Sequence, residues 1–402
     1  MTRFALLFPG QGSQYVGMGK ASWERDAQVR SQFEMASDVL GLDMKKLCFD
    51  SELETLTETH NAQVAIFLCS LANYTLYKQE VGIVPQFAAG HSLGELTALT
   101  CAGALDIRDA LRIIRQRGLL MKDAVAPGAG RMSAVIGVPA AKIDEVCQAI
   151  STAAAPVAVA NLNTPKQTVI SGAAAAVEAA GRELEQLGAK VVSLKVSGPF
   201  HCPLMQPAAE RFAQVWKGVP LRPLAFPVVS NVTAFLYREA ADVPDMLSRQ
   251  LLNPVRWNDS MQFLRNQNVD VFIDVGPGSI LKRMVSESEI PGTVFSLDLD
   301  ADRAALRSLK ESQYVGVITR CMAAAVCTRN QNFDDQEYRL GVIEPYRQLE
   351  HLHETLDESK RQPTEHEMRD AVALLKKILT TKKLSRDELE GRVERIFDET
   401  GT

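Results

Sequence analysis

The chain has 402 residues, 46% of them hydrophobic and 23% charged, and a net charge of -5. That length and apolar content support two or three globular domains. The mildly acidic balance offers no overall attraction for nucleic acid or an anionic membrane.

Phe4-Ala5-Leu6-Leu7-Phe8 is a short continuous apolar run, the pattern of a strand buried on both faces of a parallel sheet. It breaks at Pro9-Gly10, too early for a secretory leader, and Gly10-Gln11-Gly12-Ser13-Gln14 follows as a loop. Elsewhere no apolar stretch approaches the roughly 18 residues of a membrane helix. The seven cysteines show no paired metal-ligand spacing, which predicts core thiols in a reducing compartment, the cytoplasm. Val64, Ile66, Phe67, Leu71 and Leu76 predict a core helix over 61–77, ahead of a strand around Gln86-Phe87-Ala88-Ala89 and a helix over 95–101.

From Gly128 to Val196 the periodicity changes. Strands are predicted at 131–138, 157–161, 167–171 and 190–196, with helices at 140–150 and 173–187 and a polar turn at Asn163-Thr164-Pro165-Lys166. The order β-α-β-β-α-β is a split βαβ pattern. Short β-rich runs resume at 227–231, 271–275 and 293–297, ending in Gly-, Asn- and Ser-rich loops where an open α/β sheet places ligands. A helix at 309–321 is followed by a charged, Gln-containing stretch over 328–363 that reads as a linker. Two amphipathic segments then follow, the first carrying Met368, Val372, Leu375 and Leu379, the second opened by the capping box Ser385-Arg386-Asp387-Glu388. The expected fold is α/β. A large α/β-hydrolase-like domain with a mostly parallel sheet spans 1–127 and 198–310, a ferredoxin-like α+β subdomain is inserted at 128–197, and a helical C-terminal extension covers 311–402.

Gly90-His91-Ser92-Leu93-Gly94 is a G-x-S-x-G sequence between a strand and a helix, the setting that lifts a serine Oγ to the top of a sheet. Alone, the motif fits a turn or N-cap serine equally well. A nucleophilic serine needs a base. Of the six histidines, His91 adjoins Ser92 and should point elsewhere at such an elbow, and His351, His353 and His366 lie in the polar tail. His201 follows Gly198-Pro199-Phe200 directly after the insertion, which makes it the candidate base, with an ordinary surface or helix-start histidine as the alternative. The Leu93 and Gln11 backbone N–H groups are the candidate oxyanion donors. The flanking glycines of Gln11 fit an ordinary turn as well, because the lysine and spacing of a phosphate loop are absent.

Gly10-Gln11-Gly12-Ser13-Gln14, His60-Asn61-Ala62-Gln63, Gly90-His91-Ser92-Leu93-Gly94-Glu95, Gln116-Arg117-Gly118, Asn161-Leu162-Asn163, Gly198-Pro199-Phe200-His201, Asn231-Val232-Thr233 and Gln250 through Pro254-Val255-Arg256-Trp257 together resemble the malonyl-CoA:acyl carrier protein transacylases. The likeness covers residues 1 to about 300. It implies a ping-pong acyl transfer from malonyl-CoA through a malonyl-Ser92 intermediate to the phosphopantetheine thiol of an acyl carrier protein, or of the carrier domains of a synthase. His201 would be the base, steadied by a backbone carbonyl near Gln250. Arg117 would grip the free carboxylate, whereas taken alone it belongs to a basic run with Arg108, Arg112 and Arg115 that fits a helix surface.

The same resemblance places Gln63, His91, Asn231 and Gln250 around the pocket and makes Phe200, with Leu93, a mark of malonyl-selective members, since the phenyl ring fills the space of an extra methyl. It implies malonyl-CoA as substrate with no permanently bound cofactor or metal, and no nucleic-acid or membrane partner. The extension beyond about residue 310 resembles those of acyltransferases acting in trans in polyketide or hybrid peptide synthesis. Alternatives are a housekeeping transacylase of fatty acid synthesis, an acyl hydrolase that clears carrier proteins, and a scaffold that docks carriers without catalysis.

Overall fold

The computed structural model of the chain describes residues 2–359, 361 and 363–400, with the side chains of 310–315 and 398–400 left aside. Among the described residues there are nine strands: β1 Phe4–Phe8, β2 Phe87–Gly90, β3 Gly130–Ile136, β4 Val157–Thr164, β5 Gln167–Ala173, β6 Lys190–Ser193, β7 Val228–Val229, β8 Val271–Asp274 and β9 Thr293–Ser296. Two compact units are present, one of Arg3–Gln79 with Pro85–Arg303, the other of Met1–Thr2, Glu80–Val84 and Ala304–Thr402.

In the larger unit an all-parallel sheet runs β7-β2-β1-β8-β9. β1 lies at its centre, with Ala5 opposite Phe87 and Phe272 on its two neighbours, and every one of its residues is buried. A parallel strand covered on both faces must be apolar throughout, which accounts for the run FALLF. One face packs Leu7, Phe87 and Phe272 against Trp257, Met261 and Leu264 of the helix Trp257–Asn266. The fold class is the α/β architecture expected. Several predicted strands end early, and two of these matter at the site: pairing stops at Val229 and at Ser193, so Asn231 and residues 194–196 are loop and free to approach the sheet's carboxyl end.

The second sheet of this unit is antiparallel in order β4-β5-β3-β6, the ferredoxin-like arrangement, with helices Ala140–Ile150 and Ala174–Gln186 supplying Ile143, Cys147, Val177 and Leu184 to its core. The four-residue turn expected at 163–166 is a tighter one. β4 continues through Thr164 and leaves Pro165 and Lys166 as the turn. The register of β4 slips between Val159 and Asn161 and again between Leu162 and Thr164. Such bulges bend a strand and re-aim its side chains. Here they turn the strand toward the parallel-sheet region, where Leu162 N–H donates to Val255 O at 2.9 Å and Val255 N–H to Ala160 O at 2.8 Å.

The smaller unit is helical. The linker expected over 328–363 is largely helix instead: Asp335–Tyr338 runs through a π-helical segment, Arg339–Ile343, into Glu344–Ser359. Val342, Leu349 and Leu356, seven residues apart, are buried against Ala371, Leu375 and Ile378 of the helix Glu365–Thr381. Tyr338, Tyr346 and Leu352 pack half-buried against the same cluster, so the stripe is continuous, but charged and amide residues on either side mask it in the sequence. Thr364 caps that helix reciprocally with Glu367, and the expected Ser385–Glu388 box caps the last helix. Buried Lys382 donates to Ala325 O at 2.7 Å and Thr328 O at 2.8 Å, satisfying carbonyls at the end of helix Asp300–Cys327. Among the described residues no helix is long and apolar enough to cross a membrane, and no cluster of three or more His, Cys, Asp or Glu side chains is placed to hold a metal ion.

Candidate active site

β2 ends at Gly90, and the chain reverses through His91 and Ser92 into the helix Leu93–Cys101. Ser92 carries φ 52 and ψ -103, a backbone conformation that costs a non-glycine residue about 1–3 kcal/mol and persists only where the surroundings enforce it. The surroundings do so through contact. A β-carbon on Gly94 would be driven into the Phe8 carbonyl, and one on Gly90 into the Gly94 backbone, so the two glycines let strand and helix close on the serine. Gly10 permits a close, though looser, approach of the loop after β1 to the His91 carbonyl, which sets Gln11 beside the elbow. The Ser92 N–H is held by Asn231 Oδ1 at 2.8 Å.

His201 also has positive φ, 58°, at the point where the chain returns from the second sheet. Its Nε2 lies 2.8 Å from Ser92 Oγ and its Nδ1 2.8 Å from Gln250 O. A carbonyl only accepts, so Nδ1 carries the proton and Nε2 is left as the acceptor facing the hydroxyl. That carbonyl is available because Gln250 ends the helix Val243–Gln250, whose last C=O groups have no intrahelical partner. Burial, helped by the nearby Arg117 charge, pushes the imidazole down to about 3, with the Gln250 bond opposing.

Arg117 is 1% exposed. It lies on the apolar stripe of Ile107–Asp123 with Ala110, Ile113, Ile114 and Met121, which excludes the helix-surface alternative. Nη1 donates to Gln63 Oε1 at 2.9 Å, and Nη2 to Gln250 Oε1 at 2.8 Å and to Ser92 Oγ at 3.0 Å. Its Nε is buried without an acceptor, and among the described residues no carboxylate pairs with the guanidinium directly. Burial lowers its pKa to about 10, offset in part by Glu95. The guanidinium is therefore a buried cation held by neutral amides and one hydroxyl.

These groups line a cavity of about 280 Å³ that also exposes Gln11, Gln63, His91, Leu93 and Phe200. Among the described residues the Gln11 and Leu93 N–H groups have no hydrogen-bond acceptor. His91 does point away from Ser92: its Nε2 meets Asn163 Oδ1 at 2.9 Å and its ring tilts against Trp257 at 5.6 Å. The bulges of β4 thus deliver Asn163 beneath the elbow. Asn231 and Gln250 are fully buried behind the cavity.

The acyl transferase domain family matches residues 5–291. A malonyl CoA-acyl carrier protein transacylase of Bacillus subtilis is 37% identical over 394 residues, covering 96% of this chain and 98% of that protein. A second, from B. subtilis strain 168, is 41% identical over 313 residues, 77% of this chain and 98% of its own. This chain belongs to the malonyl CoA-acyl carrier protein transacylases. Among solved structures, FabD from Acinetobacter baumannii superposes with TM-score 0.74 at 35% identity over 77% of this chain and 98% of that one. A malonyl-transacylase in complex with a type II PKS acyl-carrier protein does so with 0.74 at 36%, over 77% and 100%.

Sequence reasoning gave no role to three side chains of this transacylase site. Glu95 is wholly buried; Tyr237 Oη donates to its Oε1 at 2.5 Å, while Gln250 Nε2 at 2.6 Å and Asn231 N–H at 3.1 Å donate to Oε2. Burial pushes its carboxyl up to about 7 against those bonds. A single acid among Leu93, Leu96, Ala98 and Leu99 was the available signal. Asn163 stood only in the Asn161-Leu162-Asn163 run of the resemblance, without a role, and Tyr237 carried no signal, because their partners His91 and Glu95 are far away in the chain.

Proposed function

We propose that the chain transfers a malonyl group from malonyl-CoA to the phosphopantetheine thiol of an acyl carrier protein through malonyl-Ser92. Ser92 Oγ attacks the thioester carbonyl while its proton passes to His201 Nε2, and the Gln250 carbonyl stabilises the resulting imidazolium through Nδ1–H. The tetrahedral oxyanion lies against the Leu93 and Gln11 N–H groups. Collapse expels the CoA sulfur, which takes the proton from His201. The carrier thiol then gives its proton to His201, attacks the ester and leaves as malonyl-carrier, and the proton returns to Ser92. Arg117 pairs with the free carboxylate throughout, and Phe200 occupies the space a methyl branch would need. The observation that carries this reading is the convergence on one hydroxyl: Ser92 Oγ sits 2.8 Å from the imidazole and 3.0 Å from the guanidinium.

Intact-protein mass spectrometry after exposure to malonyl-, methylmalonyl- and acetyl-CoA tests it directly. A malonyl adduct on the wild-type chain, moved to malonyl-carrier by added carrier protein, is expected. Free malonate in place of malonyl-carrier would favour the hydrolase.

A pH profile gives a second test. With the His201 pKa pushed down to about 3, the neutral base is fully present above that value and is lost only on approach to it from higher pH. Acylation kcat/KM should stay flat from pH 8 to 5. An acid limb centred near 6.5, where an ordinary imidazole titrates, would contradict a buried base.

The extension, which we take as 311–402, supports a role in trans on the carriers of a polyketide or hybrid synthase. The B. subtilis relative aligned over 96% of the chain shares it, while the one aligned over 77% stops short of it at similar identity. Removing residues after about 310 should leave acylation by malonyl-CoA within about threefold of the full chain, a change of under 1 kcal/mol, and slow transfer to the cognate carrier. Equal transfer by both forms would remove the docking role. Seven free cysteines fit a cytoplasmic setting.

A further inference from the structure

Gln250 serves the site twice, by different atoms. Its main-chain oxygen holds His201, and its side-chain oxygen holds Arg117. The second service depends on which way the amide points, since an amide has one donor end and one acceptor end. Arg117 can only donate, so it needs Oε1. At the other end Gln250 Nε2 faces three acceptors, of which Glu95 Oε2 at 2.6 Å is the nearest and the one that can carry charge, with Ser92 O at 3.0 Å and Asn231 Oδ1 at 3.2 Å beside it. The Glu95 carboxylate is in turn fixed by Tyr237 Oη and the Asn231 N–H, both of which donate to it. A flipped amide would set oxygen against carboxylate and NH₂ against guanidinium, two repulsions in a site without solvent.

We propose that Glu95 is a positioning residue for donor selection: its oxygen fixes the orientation of the Gln250 amide and thereby holds Arg117 where an acyl carboxylate must arrive. Glu95 touches neither substrate nor the reacting hydroxyl. Because His201 is held by the Gln250 main chain, loss of Glu95 falls on the selection of malonyl donors and spares the nucleophile-base pair. The proposal rests on the reading of the chain as a malonyl transferase.

The test compares acylation kcat/KM for malonyl-CoA and acetyl-CoA in the full chain. Glu95→Ala is expected to lower the malonyl-to-acetyl ratio about tenfold, the scale of one charged hydrogen bond, with the acetyl value within about threefold of wild type. Glu95→Gln keeps an oxygen facing Gln250 Nε2 and should restore the ratio to within about threefold. Equal losses for both donors in Glu95→Ala, or a Gln variant no better than Ala, would overturn the proposal. In a Gln250→Ala background, Glu95→Ala should leave the ratio where it is; a further tenfold fall would overturn it as well.

If Glu95→Ala is insoluble, Tyr237→Phe decides, since it frees one carboxyl oxygen of Glu95 and keeps the other facing Gln250 Nε2. A fall of about two- to fivefold for malonyl alone supports the proposal, and an unchanged ratio overturns it. Wild-type protein that takes no malonyl group on Ser92 overturns the transfer reading together with this proposal. Wild-type labelling with selection indifferent to Glu95 overturns the proposal alone.

Discussion

Ser92→Ala is expected to carry no acyl group after incubation with malonyl-CoA and to transfer malonyl to carrier protein on the order of 10⁴- to 10⁶-fold more slowly than wild type, the range seen when a nucleophile acting as part of a unit is removed. The alanine fits the turn without a clash, since it is smaller than the serine and keeps the β-carbon the elbow already accommodates, although it shares the strain of φ 52. Fold loss therefore does not confuse the result, and a normal melting curve with a silent mass spectrum is the expected pair. What is removed is, among the described residues, the one group that both faces His201 Nε2 and accepts from Arg117. A variant that still gained the malonyl mass would place the nucleophile elsewhere and leave Ser92 no part in the chemistry.

Arg117→Ala is the second large effect, and it is expected to be selective. Losing a buried charge partner costs about 3–5 kcal/mol, so malonyl-CoA should fall about a hundredfold or more in acylation kcat/KM, at about 1.4 kcal/mol for each factor of ten. Acetyl-CoA brings no carboxylate, and its value should move far less. The ratio of the two specificity constants is the measurement, because it cancels whatever the loss of the Nη2 bond to Ser92 Oγ does to the nucleophile itself. An unchanged ratio would mean that the carboxylate is recognised by another group. Arg117→Lys should recover only part of the selection, since one ammonium cannot reach Gln63, Gln250 and an incoming carboxylate in the fixed plane that a guanidinium offers.

How far the sequence could be read follows from where each signal lies. β1, the elbow and the β-α-β-β-α-β insertion were legible because burial writes periodicity directly into neighbouring residues. The helices over 335–359 were not, because Val342, Tyr346, Leu349, Leu352 and Leu356 are interleaved with charged and amide residues that hide their spacing. At the site, Ser92 announced itself by its flanking glycines and His201 by elimination among six histidines. Arg117 was readable more firmly than its basic neighbours suggested, since it falls in step with Ala110, Ile113, Ile114 and Met121. The Gln250 carbonyl is backbone and leaves no trace in residue type. Glu95 stood out as an acid in an apolar helix, but its meaning depends on Tyr237, 142 positions away, and on an amide whose orientation only the fold decides.

The bond from Arg117 Nη2 to Ser92 Oγ has a consequence for timing. A guanidinium offers hydrogen and cannot take it, so in the resting enzyme the serine's own hydrogen has only the imidazole to turn toward. In the proposed mechanism the carboxylate of malonyl-CoA meets the arginine before the ester forms, and the ester oxygen that follows is a poorer acceptor than the hydroxyl. One charge would thus align the serine at rest and grip the acid from the moment the donor binds.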